Sequence, residues 1–378
     1  MVSYSYHHPF SHSPTLAVNV YPFMTLQGSL IDHFDRFKVI IPAIVEDILK
    51  KQALPINGGA VKAFRPDALS LSLQTKLSSP LPVKLGALTL ALYKKDGKNF
   101  FPFSHVSFPP QEVSKNTVMK IENQVNKIEN RTELVKWLDD IFNKDEVELA
   151  TSGRPELKLG SLKYNPHLDK VIKLPGLRRL EGFALEKIDL SIPPASKGIT
   201  FKGRVMLPNW GSLTIDLGNV TFNVFLGDLN VGELLLKKVL LPPGNTTLDA
   251  EGKLELRTVI SNLGQILSSQ SKALGKGQIE LGVQSKKVEY NGQRIPYAED
   301  LLNSKRLNAP IPILTLVTSA LNGFVGGMGG SGDVLDSIGS VFGNKTFIQG
   351  LLDNWGTGKE AVKNAEFVKR MLKHYYGL

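Results

Sequence analysis

The residues best suited to chemistry are few, and their surroundings argue against most of it. Gly327-Met328-Gly329-Gly330-Ser331-Gly332 fits G-x-G-x-x-G, with Asp353 about 20 residues on, as in a dinucleotide fingerprint. That chemistry needs a preceding strand, a following helix and a parallel sheet around both. Too little chain follows Gly332 to supply them, so a glycine-rich loop is expected and no nucleotide cofactor. His7, His8 and His12 cluster in a Ser/Tyr/Pro-rich arm, without a carboxylate or fourth ligand beside them to hold a metal. Asp32-His33-Phe34-Asp35 gathers polar groups within one turn, as an amphipathic segment also does. Asp139-Asp140 and Asp145-Glu146 are paired acids, but neighbours on one helix diverge, whereas acid–base catalysis needs carboxyls converging across a cleft. G-x-S-x-G, P-loop and H-E-x-x-H motifs are absent from the sequence. The absence of cysteine excludes disulfides, thiolate catalysis and cysteine-ligated zinc. No catalytic, cofactor or metal residues are assigned, and a non-enzymatic protein is expected.

The elements that would position any site are strands. Val83–Tyr93 (VKLGALTLALY) and Ile215–Phe225 (IDLGNVTFNVF) both alternate apolar and other residues with period two, as half-buried strands do. Val220, Phe222 and Val224 point one way, and Asn219, Thr221 and Asn223 the other. Each stretch runs into a turn, KKDGKN at 94–99 and LGDLN at 226–230. The correspondence continues in order along the chain. FPPQEVSKNTVMKI (108–121) matches LPPGNTTLDAEGKL (241–254), and ENRTELVKWLDDIF (129–142) matches ELRTVISNLGQIL (255–267). VELATSGRPELKLGSLKYN (147–165) then matches IELGVQSKKVEYNG (279–292). An ordered series of matches at a nearly constant offset predicts a duplication.

Each unit reads as a β-sandwich of short strands with one short helix inserted before the last strand pair. The helices are expected on Leu134, Trp137, Leu138 and Ile141, and on Val259, Leu263, Ile266 and Leu267. The fold class is therefore mainly β, with two tandem sandwiches, an N-terminal helix over 39–52 and a helical C-terminal tail. The expected divisions are a flexible arm over 1–16, a first sandwich with its leading helix over 17–174, and a second over 175–312. A glycine-rich loop and helical tail complete the chain over 313–378. LPGLRRLEGF (174–183) is expected as an exposed linker.

The formal net charge of +10 would suit anionic partners. The basic residues are scattered as pairs such as Lys94-Lys95 and Lys237-Lys238, with no aromatic interleaving, so no nucleic acid is expected. Ala309–Gly332 is uncharged but broken by Pro310, Pro312 and many glycines, which makes a poor membrane span. The N-terminus, MVSYSYHHPFSHSPTLAV, lacks the basic-then-apolar order of a signal peptide. Sequons at Asn130, Asn219, Asn245 and Asn344 are candidate glycosylation sites and a weak pointer to the secretory pathway. The C-terminal stretch 359–376 places Val368, Leu372 and Tyr375 on one face, ends on Tyr375-Tyr376, and carries basic flanks. It suits a membrane surface or a protein partner.

Residues 211–256 carry a family resemblance, through Gly218, Asn219, Val220, Thr221, Phe222, Gly232, Pro243, Gly244, Asn245 and Thr246. They resemble the core of the type-2 late-embryogenesis-abundant domain, in particular a group of fungal proteins of unknown function that carry it in tandem. The first repeat is similar more loosely, through Gly86, Thr89, Pro110 and Asn116. The resemblance covers roughly 39–312 and implies immunoglobulin-like sandwiches, often membrane-anchored, facing an endomembrane or vacuolar lumen and binding apolar ligands or lipids. The anchoring transmembrane helix of that group has no counterpart in the sequence. Three functions follow: binding of an apolar ligand or lipid or work at an anionic membrane surface, a protein-interaction ectodomain without a cavity, or a cofactor-independent enzyme with an apolar pocket. For the first, Leu88, Leu90, Val220, Phe222 and Val224 are the candidate cavity lining.

Overall fold

Alternating apolar residues, turn glycines and Pro-Pro breaks divide the chain into many strands and few helices. The computed structural model describes residues 56–79, 82–95, 97, 99–190, 198–255, 258 and 262–312. All of them belong to one of the chain's two compact units, Val45–Leu378; the other is Met1–Ile44. The arm over 1–16, the leading helix over 39–52, the glycine-rich loop and the C-terminal helix fall outside the described residues. So do Asn344, Val368, Leu372, Tyr375 and Tyr376. The described chain is mainly β and builds several sheets.

In the first half, β1 (Ile56–Arg65) and β2 (Ala68–Leu77) form a hairpin around Pro66-Asp67, and β2 pairs on its other side with β7 (Thr117–Lys127). Leu69, Leu71, Leu73, Thr75 and Leu77 share one face of β2, as period two requires. A second sheet has the order β11-β8-β4-β5, from β4 (Leu88–Tyr93), β5 (Pro102–Phe108), β8 (Glu146–Gly153) and β11 (Leu168–Pro175). A small third sheet joins β3 (Val83–Leu85), β6 (Gln111–Val113), β9 (Leu157–Leu159) and β10 (Leu162–Tyr164) in the order β10-β9-β3-β6. Helix α1 (Arg131–Asn143) begins where Asn130 Oδ1 accepts the Glu133 N–H at 3.1 Å, a side-chain N-cap. It buries Leu134, Trp137 and Phe142, and Trp137 stacks on Phe103 with ring centroids 5.2 Å apart.

The second half has a related pairing order. It comprises β12 (Ala184–Leu190), β13 (Phe201–Asn209), β14 (Thr214–Leu226), β15 (Leu229–Leu241) and β16 (Gly244–Leu254). Helices α2 (Leu263–Ser269) and α3 (Ser271–Leu274) follow, then β17 (Gln278–Tyr290), β18 (Gln293–Arg294), α4 (Pro296–Leu302) and β19 (Arg306–Pro312). Of these, β14, β15 and β17 are longer than β4, β5 and β8. The hairpin pairing β5-β4-β8-β11 reappears as β15-β14-β17-β19, and β1-β2-β7 as β12-β13-β16, all antiparallel. One difference matters. In the second half β15 also pairs with β16, whereas β5 and β7 form no ladder among the described residues. Gln124 bridges them instead, accepting the Ser107 N–H at 2.9 Å and donating to its carbonyl at 2.8 Å. Ser104 Oγ of β5 also donates to the Lys127 carbonyl of β7 at 2.9 Å, so side chains hold that seam where the second half has a strand ladder.

The halves share strand β14. Its first residues, Thr214–Asp216, pair in parallel with Ala60–Lys62 of β1, and from Asn219 onward the same side pairs antiparallel with β17. Gly218 sits at the fork with φ +71°, and a Cβ there would lie 2.5 Å from the Glu289 carbonyl. Only glycine meets both demands.

The stretch expected as an exposed linker is tied down. Gly176 N–H donates to Asp145 O at 2.8 Å and Leu177 N–H to Ile141 O at 2.7 Å; Leu177 and Leu180 are buried, while Arg178, Arg179 and Glu181 remain exposed. Helices α2 and α3 cover the expected Leu263, Ile266 and Leu267 and run on to Leu274, while Val259 lies outside the described residues. The sequence pattern gave no sign of α4, which starts with Pro296 in the first turn, where a missing N–H costs nothing.

Candidate ligand-binding cavity

The two sheets of the first half do not close completely. A cavity of about 110 Å³ remains between them. Leu73 and Met119 line it from one sheet, and Leu88, Leu90, Val106 and Leu149 from the other. Its wall is almost wholly apolar. The polar exceptions include Thr75 on β2, Thr151 on β8 and Lys170 on β11.

Strand register explains why these three are there. On β11, Leu168, Lys170, Ile172 and Leu174 occupy one face and Asp169, Val171 and Lys173 the other. Lys170 therefore stands in an apolar, inward row, while Val171 is turned outward and exposed. Thr151 is its direct partner on β8 and Leu92 lies one strand further on. Thr151 is 2% exposed, and its Oγ1 has no hydrogen-bond partner among the described residues; the buried Oγ1 of Thr75 has none either. Desolvation holds the Lys170 ammonium below the usual lysine range.

A second void of about 30 Å³ lies deeper and shares Ile56, Leu73, Leu92 and Leu149 with the first. Its far wall includes Leu134 and Trp137 of α1 and Tyr297 of α4. Tyr297 donates to the Ala68 carbonyl at 3.2 Å, so the second half closes one end of the first. Burial pushes the Tyr297 phenol well above the usual tyrosine range.

Of the five apolar residues expected to line a cavity, Leu88 and Leu90 border this one. Val220 and Val224 are buried in the core, with the partly buried Phe222 packed against it. Thr75, Thr151 and Lys170 escaped sequence reading, although one signal was present: a lysine interrupting the apolar row Leu168, Ile172, Leu174. Among the sequons, Asn130 is half-buried as the α1 cap, Asn219 accepts the Lys238 N–H at 3.0 Å, and Asn245 is exposed at the start of β16.

Groups with acid–base potential lie elsewhere and are neutralised. Asp140 binds Lys94 at 2.7 Å and Lys144 at 3.0 Å. Burial would raise its pKa, but the two lysines outweigh this and hold it below the usual range. His105 Nδ1 meets Glu129 Oε1 at 2.7 Å on an exposed face. No group of three or more potential metal ligands occurs among the described residues. A broad concavity of about 960 Å³ over β12, β13, β15 and β16 carries charges of both signs, including the pairs Lys187–Asp189 at 2.9 Å and Lys237–Glu251. It has the character of a solvated face. No helix among the described residues is long and apolar enough to cross a membrane.

Residues 101–224, from β5 into β14, match a family described as a protein of unknown function (DUF3712). No curated protein matches the chain. Among solved structures, a protein from Archaeoglobus fulgidus aligns with 30% of this chain and 90% of its own, at 11% identity and a TM-score of 0.21. Red sea bream transglutaminase aligns with 69% of this chain at 10% identity and a TM-score of 0.21, and the match spans only 30% of that enzyme. Likenesses at that TM-score carry no argument about fold or activity.

Proposed function

We propose that the protein is a non-enzymatic binder of an apolar small molecule or lipid, held between the sheets of its first half. The observation that carries this is the apolar cavity with buried, unpartnered Thr151 in its wall. Protein interiors are otherwise close-packed, and buried hydroxyls almost always find a partner. A cavity that leaves both rules unmet is best understood as a site awaiting its occupant. The two halves are read as copies of one sandwich unit, supported by their common pairing order and by the resemblance to the type-2 late-embryogenesis-abundant domain. On this reading one copy joins its sheets along the seam through side chains, and the other through the β15–β16 ladder. Native mass spectrometry of the full chain, with organic extraction, tests the proposal. An apolar molecule released only on denaturation supports it. A bare polypeptide mass that stays unchanged after incubation with mixed lipids overturns it.

A second reading, work at an anionic membrane surface, is favoured by the tip of the β4–β5 hairpin. Phe100 and Phe101 are 52% and 54% exposed there, near the exposed Lys95; its neighbour Lys94 is paired with Asp140. Aromatic rings near a lysine suit the lipid headgroup boundary.

A further inference from the structure

We propose that the outer face of the third sheet, through Lys84, Lys158 and Lys163, docks on an anionic lipid surface and sets the wall of the cavity against it. That an apolar ligand passes there rests on the cavity being a ligand site.

The third sheet has two unlike faces. Val83, Leu85, Val113 and Leu157 line the cavity. Period two turns the residues between them outward. Register sets these in one row across the four strands: Lys163 opposite Lys158, Lys158 opposite Lys84, and Lys84 opposite Glu112. Glu156 meets Lys158 at 2.8 Å, and Lys163 helps at longer range to hold that carboxyl low, so one acid serves two lysines. Among the described residues Lys84 has no ion pair, nor have the exposed Lys115 after β6 and Arg154 before β9.

An ordinary solvated face explains this poorly. Rows on the outer face of the second half alternate in sign, with Asp189 opposite Lys202 and Lys202 opposite Glu251. Edge protection accounts for a lysine on β10, but β9 and β3 are internal strands. Like charges directly opposite one another weaken a sheet, and here they sit on strands of three residues. The lysine row crosses two strand spacings, roughly 10 Å, which suits headgroups repeated over a surface better than one bound ion. The apolar wall on its reverse favours lipid over other polyanions.

That wall is also thin. β3 and β9 share only Lys84–Lys158 and Leu85–Leu157, beside one bond from Gly86 N–H to the Glu156 carbonyl at 2.7 Å. Pro155 and Pro166 are buried at either end of the β9–β10 hairpin, and no residue between them is. An element with so little burial opens at low cost. Docking therefore brings the most easily displaced part of the cavity wall against the lipid.

Co-sedimentation of the full chain with phosphatidylcholine vesicles, with and without phosphatidylserine, tests the docking face. Wild-type protein is expected to prefer the anionic vesicles, less so at high salt. Lys84→Gln, Lys158→Gln and Lys163→Gln together should lower that binding about tenfold or more, with an unchanged or higher Tm because a like-charge row is gone. The β4–β5 tip lies at the far end of that hairpin from Leu88 and Phe108, so Phe100→Ser with Phe101→Ser separates the two faces. No preference for anionic vesicles, a preference that survives the lysine variant, or binding to a duplex oligonucleotide in place of vesicles overturns the docking face and leaves the apolar site standing. Protein loaded with 1-aminoanthracene should release it faster to anionic than to neutral vesicles, and the lysine variant should not. Equal release by wild-type protein overturns exchange through this face. A probe that never binds in solution, beside intact docking, overturns the ligand site alone.

Discussion

The hydroxyl of Tyr297 donates to the carbonyl of Ala68 at 3.2 Å, across 229 residues of sequence. Tyr297 belongs to α4 of the second half, while Ala68 begins β2 of the first. The bond is buried, and Arg131 and Asp300 meet at 2.6 Å between α1 and α4. Tyr297→Phe leaves the Ala68 carbonyl without this donor and should cost about 1 kcal/mol. Urea denaturation checks it. The loss should appear in one transition shared by both halves, because the bond joins them.

Tyr93 supplies a pH signature. Burial first, then its 2.9 Å bond to Asp169 and that carboxylate's charge, push its phenol up from 10.0 to about 12. A folded-state pKa above the unfolded value means that stability is intact below pH 10. It declines as pH rises from there toward about 12, because the unfolded chain ionises first. Tyr93→Phe should flatten that part of the stability–pH curve, and tyrosinate absorbance should show the late-ionising phenol disappear.

Thr151→Val should raise the stability of the empty protein. A buried hydroxyl without a partner carries a penalty of about 1–3 kcal/mol, which valine removes. Thermal unfolding of ligand-free protein should show a higher Tm, while ligand-induced stabilisation becomes smaller. A residue kept at the expense of stability is the mark of a functional position.

Gly218→Ala should destabilise by more than about 1 kcal/mol, since alanine disfavours positive φ and the nearest backbone leaves no room for a Cβ. Hydrogen exchange should rise first where β14 divides, at Val61 on β1 and Val288 on β17.

The hairpin tip is tested with vesicles. Wild-type protein should co-sediment with vesicles containing phosphatidylserine more than with neutral ones, and less at high salt, where screening weakens lysine attraction. Phe100→Ser with Phe101→Ser should reduce co-sedimentation several-fold without altering the fold, because both rings are largely exposed.

Strands, hairpins and α1 were legible because period-two alternation and turn residues are local signals. Gly227-Asp228 closes β14 onto β15, and Asn130 caps α1, as their residue types suggest. What joins distant segments was not legible. The parallel pairing of Val61 with Ile215 and the Tyr297–Ala68 bond depend on where folded elements meet, and neither leaves a local mark. The cavity was half legible. Alternation gives the inward row of Leu88 and Leu90, which border the cavity, and an equal row of Val220 and Val224, which lie buried in the core. Which apolar face stays unfilled depends on how the opposing sheet packs against it. Lys170 was visible as an interruption in an apolar row, yet its register with Thr151 appears only once β8 and β11 are paired.

The parallel contact between β1 and β14 bears on what happens when the chain is cut. A fragment ending at Pro175 would leave the side of β1 that receives Thr214–Asp216 bare, with unanswered backbone donors and acceptors. Its complement would expose the matching segment of β14. Each piece could then borrow what it lacks from another molecule, giving swapped dimers or open-ended chains in place of two independent modules. Each half thus depends on the other to close a sheet edge, and the two are expected to fold and fail together.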